Sequence, residues 1–135
     1  MSKQSPEDLR ARLEIVSKEY QKVQDDIQTA VETHQRLDSQ VNENQAVKKE
    51  FASLKPHNTI YKMIGPVLVK QEPEEAKSNV NKRIEFIKGE IARVEQQISD
   101  LNTKSEKTKA GVVTIQNMMA SQQQPQVAAA QSILN

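Results

Sequence analysis

The stretch Thr59-Ile60-Tyr61-Lys62-Met63-Ile64-Gly65-Pro66-Val67-Leu68-Val69-Lys70-Gln71 decides the fold. Its two halves are rich in β-branched and apolar residues, and a glycine-proline pair separates them. That pattern predicts a β-hairpin over about 58–71. Glycine at the first central position suits a type II′ turn, which requires positive φ there, and the fixed φ of proline suits the second. A two-stranded hairpin alone in water is marginal. Its outer edges carry unpaired N–H and C=O groups on strands with several exposed apolar side chains. Such an element is stable only when other strands complete it. Ile60, Tyr61, Met63, Ile64, Gly65, Pro66, Val67, Leu68 and Val69 are therefore the expected subunit interface.

Outward from this block, both flanks carry a heptad seam. On the N-terminal side it runs Leu9, Leu13, Val16, Tyr20, Val23, Ile27, Ala30, His34, Leu37, Val41, Asn44, Lys48, Phe51, with ten of thirteen positions apolar. On the C-terminal side it runs Val80, Ile84, Ile87, Ile91, Val94, Ile98, Leu101, Ser105, Thr108, Val112, Ile115, Met119, with ten of twelve apolar. Apolar residues at alternating steps of three and four specify a coiled coil. Near the end of the first seam the apolar stripe drifts to Val47, Phe51 and Leu54, which predicts a rotation of the packed face. Ser5 is a capping residue, Pro6 fits the first helical position, and Glu7 and Asp8 complement the helix dipole. Lys55-Pro56 stops this helix. Glu72-Pro73-Glu74-Glu75 starts the next one, and Pro125 closes the pattern.

The expected elements are thus a helix over about 6–54, the hairpin, and a helix over about 73–122, forming one domain over 1–124. A flexible tail is expected over 125–135. Each helix spans roughly 75 Å at about 1.5 Å per residue. Their matched lengths, with the hairpin between them, predict that the second folds back antiparallel on the first. The fold class is mainly α.

Composition agrees with a thin coil rather than a globule. Aromatics are 3% and hydrophobic residues 36% of the 135, with charged residues at 27% and no Trp. A compact domain of this length needs more bulky side chains to fill its interior. The formal net charge of +1, with both signs mixed along the chain, argues against a nucleic-acid partner, which would select a basic stripe. No apolar run approaches the roughly 20 residues of a membrane span. The N-terminal MSKQSPEDLRARLE lacks the apolar core of a signal peptide, so a cytoplasmic location is expected. There is no cysteine for disulfides or thiolate metal sites.

No catalytic constellation is visible. His34 and His57 have no metal-site spacing. His34, Asn44 and Lys48 at seam positions read as polar interruptions that set helix register at some cost in stability. Adjacent Glu74 and Glu75 do not face each other on a helix and serve the dipole. With no phosphate loop, nucleophile triad or enclosed cleft in prospect, no enzyme activity, cofactor or metal is expected.

The residues YKMIGPVLVKQE, Tyr61 to Glu72, between two heptad helices and leading into EEAKSNVNKRIEFI, resemble the signature of the prefoldin family, beta class. The resemblance covers about Leu9 to Met119, and the single hairpin is what places it in the beta class. It implies a hetero-hexamer of two alpha-class and four beta-class subunits whose hairpins join into a platform of β-barrels. The coiled coils would project from it and hold unfolded polypeptide at their ends without ATP. It implies as partners the other prefoldin subunits, unfolded clients (actin and tubulin chains) and the cytosolic chaperonin.

In an antiparallel pair the end remote from the hairpin holds Leu9, Leu13 and Val16 on one helix and Val112, Val113, Ile115, Met118 and Met119 on the other. Ser105 and Thr108 interrupt the seam before it, and Gly111 costs about 1 kcal/mol relative to Ala in a helix. These eight residues are the expected client-binding surface, exposed by fraying, and flexible methionines suit varied clients. A parallel, dimerising tether explains the heptads equally well, but not why both seams stop at a β-rich hairpin.

Overall fold

The computed structural model describes residues 4–134, with the backbone alone over 124–134. The element order is α1 (Pro6–Ala52), β1 (Ile60–Ile64), β2 (Val67–Gln71) and α2 (Pro73–Leu134). The Ser5 hydroxyl accepts from the Asp8 N–H at 3.1 Å, and Glu7 and Asp8 sit in the first turn of α1. This is the capping geometry that satisfies an otherwise orphaned helix donor. At the other end, α1 gives out through tight turns, Ser53 N–H to Glu50 C=O and Leu54 N–H to Phe51 C=O. The Asn58 side chain then accepts from Lys55 N–H at 2.8 Å, while Asn58 N–H donates back to Lys55 C=O. Asn58 and Pro56 together fix the link into β1.

β1 and β2 form a two-stranded antiparallel sheet with Ile60 opposite Gln71 and Ile64 opposite Val67. Gly65 has φ +57° and no other described residue has positive φ. Positive φ at the first central position alone distinguishes a II′ turn from I′, which needs it at both. α2 starts at Pro73 with Glu74 and Glu75 in its first turn.

The chain divides into two compact units, residues 30–97 and residues 1–29 with 98–135. In the first, which holds the hairpin, Val41, Ile84 and Ile87 form a buried cluster against which Leu37, Val80 and Ile91 pack. Burial of each such side chain contributes about 1.5–3 kcal/mol. His34 Nε2 meets Glu95 Oε1 at 3.0 Å, which marks the register of the two helical segments there. In the second unit, Gln24 donates to Ser105 Oγ at 2.6 Å and Gln122 donates to the Gln4 carbonyl at 2.7 Å. Within that unit the pairs 24–105 and 4–122 show an antiparallel arrangement.

The seam follows the heptads closely. All twelve α2 positions from Val80 to Met119, and twelve of thirteen in α1, are buried or half-buried, Lys48 being the exception. Two expectations need correction. The packed face of α1 does not rotate onto Val47 and Leu54, which are exposed, although Phe51 is half-buried. Instead the helices leave a groove of about 160 Å³ lined by Lys48, Phe51, Ala52, Lys77, Val80 and Asn81. The charged Lys48 keeps its head in water and opens the seam. Secondly, α2 continues through Pro125 to Leu134 rather than ending near residue 122. A proline in a helix removes one N–H bond and crowds the carbonyl four residues back. The alanines at 128–130 have the highest helix propensity and favour continuation. The expected flexibility of 125–135 concerns side chains that lie outside the described residues.

Candidate functional site

Two surfaces were expected, one on the hairpin and one at the end of the coil that carries both chain termini. On the hairpin, Tyr61, Met63, Ile64, Val67, Leu68 and Val69 are all exposed, as are Gly65 and Pro66 in the turn. Ile60 is buried and Gln71 half-buried at the root, where the strands meet the helices. The sheet holds two strands among the described residues, so the outward groups of both strands have no ladder partner. That leaves six large apolar side chains and two open edges on an element of five residues per strand. Exposed apolar area of this concentration marks a protein-interaction surface, and open edges recruit strands.

The second surface is closed in the structure. Leu9 is 1% exposed and Ile115 2%, among the most buried residues of the chain. Leu13, Val16, Val112 and Met119 are half-buried in the seam. The polar interruptions are satisfied rather than loose. The Thr108 hydroxyl donates to the Lys104 and Ser105 carbonyls, and Ser105 Oγ receives the Gln24 amide. No buried side-chain polar atom among the described residues lacks a partner. Gln4 also accepts from Arg12, adding a second tie to its hydrogen bond with Gln122. Of the eight residues expected there, Val113 and Met118 are the most exposed, at 44% and 43%.

Sequence reasoning missed Ile15, 66% exposed beside this group, and Phe86, 69% exposed on α2. Both lie off the seam, and an apolar residue off a heptad stripe was a legible signal that was applied only to Val113 and Met118. The polar candidates hold structural posts. Asn44 donates to the Gln40 carbonyl, and His34 meets Glu95. Arg93 donates to Glu90, and that hydrogen bond, with the carboxylate charge, raises the guanidinium pKa above its ordinary value. No cluster of potential metal ligands occurs among the described residues. No described helix is long and apolar enough to cross a membrane.

These features define a class of protein: paired heptad helices joined by a β-hairpin with free edges, the one hairpin among the described residues. The chain belongs to the prefoldin family, since the family model described as "Prefoldin subunit" matches residues 7–126. It is 38% identical over 108 residues to prefoldin subunit 6 of Mus musculus, covering 80% of this chain and 85% of that protein. It is 37% identical over 102 residues to prefoldin subunit 6 of Saccharomyces cerevisiae, covering 76% and 90%. With prefoldin subunit 6 of Arabidopsis thaliana the identity is 34% over 119 residues, covering 88% and 92%. Among solved structures, the prefoldin beta subunit from Thermococcus strain KS-1 superposes with a TM-score of 0.70 at 21% identity, covering 84% of this chain and 96% of that one. The beta2 subunit of the same organism gives 0.60 at 20% identity, covering 67% and 97%. The fold is therefore that of a prefoldin beta subunit, and the sequence likeness is to subunit 6.

Proposed function

We propose that this chain is one subunit of a hetero-hexameric, ATP-independent chaperone of the cytoplasm, assembled with alpha-class and beta-class prefoldin partners. It takes up unfolded polypeptide, with actin and tubulin chains as the expected clients, and passes it to the cytosolic chaperonin. The hairpin is the assembly element and adds its two strands to an inter-subunit β-barrel. The observation that carries this reading is the hairpin itself, with open edges and six exposed apolar side chains on ten strand residues. It acts by binding and needs no catalytic residue or cofactor.

Client contact falls to the unit that holds the chain ends. Val113 and Met118 offer apolar surface without any opening, with Ile15 as a further exposed residue. Half-buried Leu13, Val16, Val112 and Met119 add a smaller surface, and Leu9 and Ile115 contribute only when the last turns of the coil separate. Several weak contacts on one assembly gain strength through multivalency rather than through a deep pocket.

The test is suppression of aggregation of a chemically unfolded client by the reconstituted complex, without nucleotide, using the parent and the double substitution Val113→Ser/Met118→Ser. Reduced holding with assembly intact is the expected result. Holding equal to the parent would remove these residues from the client surface.

A further inference from the structure

Phe86 is more exposed than any other large apolar side chain of the described helices. It stands on α2 between Ile84 and Ile87, both of which are buried in the seam. Residues three and four apart are neighbours on a helix surface, so Phe86 is surrounded by Lys82, Arg83, Gly89 and Glu90. Lys82, Arg83 and Gly89 are exposed as well.

Gly89 has no task inside the chain. A glycine within a helix is less stable than alanine would be. No turn requires it, since Gly65 alone among the described residues has positive φ. No neighbour requires it either, because a Cβ built at Gly89 meets nothing within 4 Å. An aromatic ring left in water and a bare helical backbone, one turn apart, both lower the stability of the isolated chain, and no contact within it offsets them. Close approach of a group from outside accounts for the two together.

Charge selects that group. Glu90 is held by Arg93, whereas Lys82 and Arg83 enter no ion pair among the described residues. From 79 to 93 the helix carries Lys82, Arg83, Lys88 and Arg93 against Glu85 and Glu90, a net +2.

We propose that this face of α2 docks an acidic segment of a partner protein, one that carries an aromatic or branched apolar side chain between carboxylates. The apolar side chain covers Phe86, and the backbone of the segment lies over Gly89, where any side chain would hold it off. The carboxylates meet Lys82 and the Arg83 guanidinium, whose planar fork suits them. A nucleic-acid strand also offers negative charge and stacking, but two free cations beside one aromatic make a short footprint for a phosphate at every nucleotide. Phe86 belongs to the unit of residues 30–97, and Val113 and Met118 to the other, so this site is distinct from the client surface proposed above.

The test uses the full-length chain in the complex reconstituted with its partner subunits. The probe is a short fluorescein-labelled peptide, one phenylalanine flanked on both sides by glutamates, read by anisotropy. The parent should bind it with an affinity that falls as salt rises. Versions with lysine flanks, or with alanine in place of the phenylalanine, should bind about tenfold more weakly. Phe86→Ser and Lys82→Gln/Arg83→Gln should each weaken binding about tenfold. Gly89→Gln should weaken it too while raising the thermal stability of the helix by circular dichroism, a combination that a purely structural glycine would not give. No binding by the parent, or binding unchanged in these variants, overturns the proposal. Tighter binding of a labelled oligothymidylate strand, lost in the same variants, would assign the face to nucleic acid and overturn it. Dissociation of the Phe86→Ser complex in native mass spectrometry would show that a neighbouring subunit covers Phe86, and would overturn it as well.

Discussion

Substituting Gly111 with alanine separates a coil end that works by fraying from one that works closed. Gly111 is half-buried within α2, and a Cβ built there would meet Val16 Cγ1 at 3.5 Å, an ordinary van der Waals distance. The new methyl therefore fills space without pushing Val16. Replacing glycine by alanine inside a helix stabilises by about 1 kcal/mol. Partial burial of the methyl adds roughly 0.3 kcal/mol, less than half the value for a fully buried methylene. The sum, about 1.3 kcal/mol, corresponds to a melting-temperature rise of about 4–5 °C for a chain of this length, at about 2.1 cal/mol/K of unfolding entropy per residue. Locally it predicts roughly eightfold slower amide exchange around residues 108–116, since about 1.4 kcal/mol is tenfold in an equilibrium constant. Thermal circular dichroism and hydrogen exchange by mass spectrometry on the full chain measure the two. Client holding should stay at the parent level, because Val113 and Met118 are exposed with the seam closed. A stabilised variant that holds less client would show that the end must open to bind. A destabilised one would show that the contact with Val16 is tighter than 3.5 Å implies.

Other substitutions probe separate links in the same chain of cause. Gly65→Ala places a side chain at φ +57°; the left-handed conformation costs about 1–2 kcal/mol, so assembly should weaken while thermal helix loss of the isolated chain barely moves. Ser105→Ala strips the part-buried Gln24 amide of its 2.6 Å acceptor. It should lower stability by about 1 kcal/mol, read by chemical denaturation, and an unchanged midpoint would mean that water replaces the hydroxyl. His34→Leu puts an apolar side chain at a half-buried seam position and frees the exposed Glu95 to water. A melting temperature raised by a few degrees is expected, because polar seam residues reduce coiled-coil stability; a fall would assign the His34–Glu95 pair a stabilising role.

The helices, the hairpin and its turn were legible because each rests on a local rule. Heptad spacing selected the seam, and Gly65-Pro66 admits positive φ at one position only. Lys48 shows where that reading ends. Its heptad position marks it for burial, but its charge keeps it in water, and the seam opens into the groove beside Phe51 and Val80. Val47 and Leu54 imitate a stripe by spacing alone and stay partly in water, at 38% and 37% exposure. At the coil end the letters carry less. Ser105 and Thr108 look like defects in a string of letters, but the pairing of the helices brings Gln24 to Ser105, and Thr108 bonds carbonyl oxygens of its own helix one turn back. The exposure of Ile15 and Phe86 follows from their off-seam positions and could have been read directly.

The hairpin as an assembly edge is tested most directly by native mass spectrometry of the complex recovered from its own cells through a tag on this chain. A hetero-hexamer containing single-hairpin and double-hairpin prefoldin subunits is the expected result. A homodimer, or a monomer persisting at working concentration, would contradict it and leave the coil as a tether.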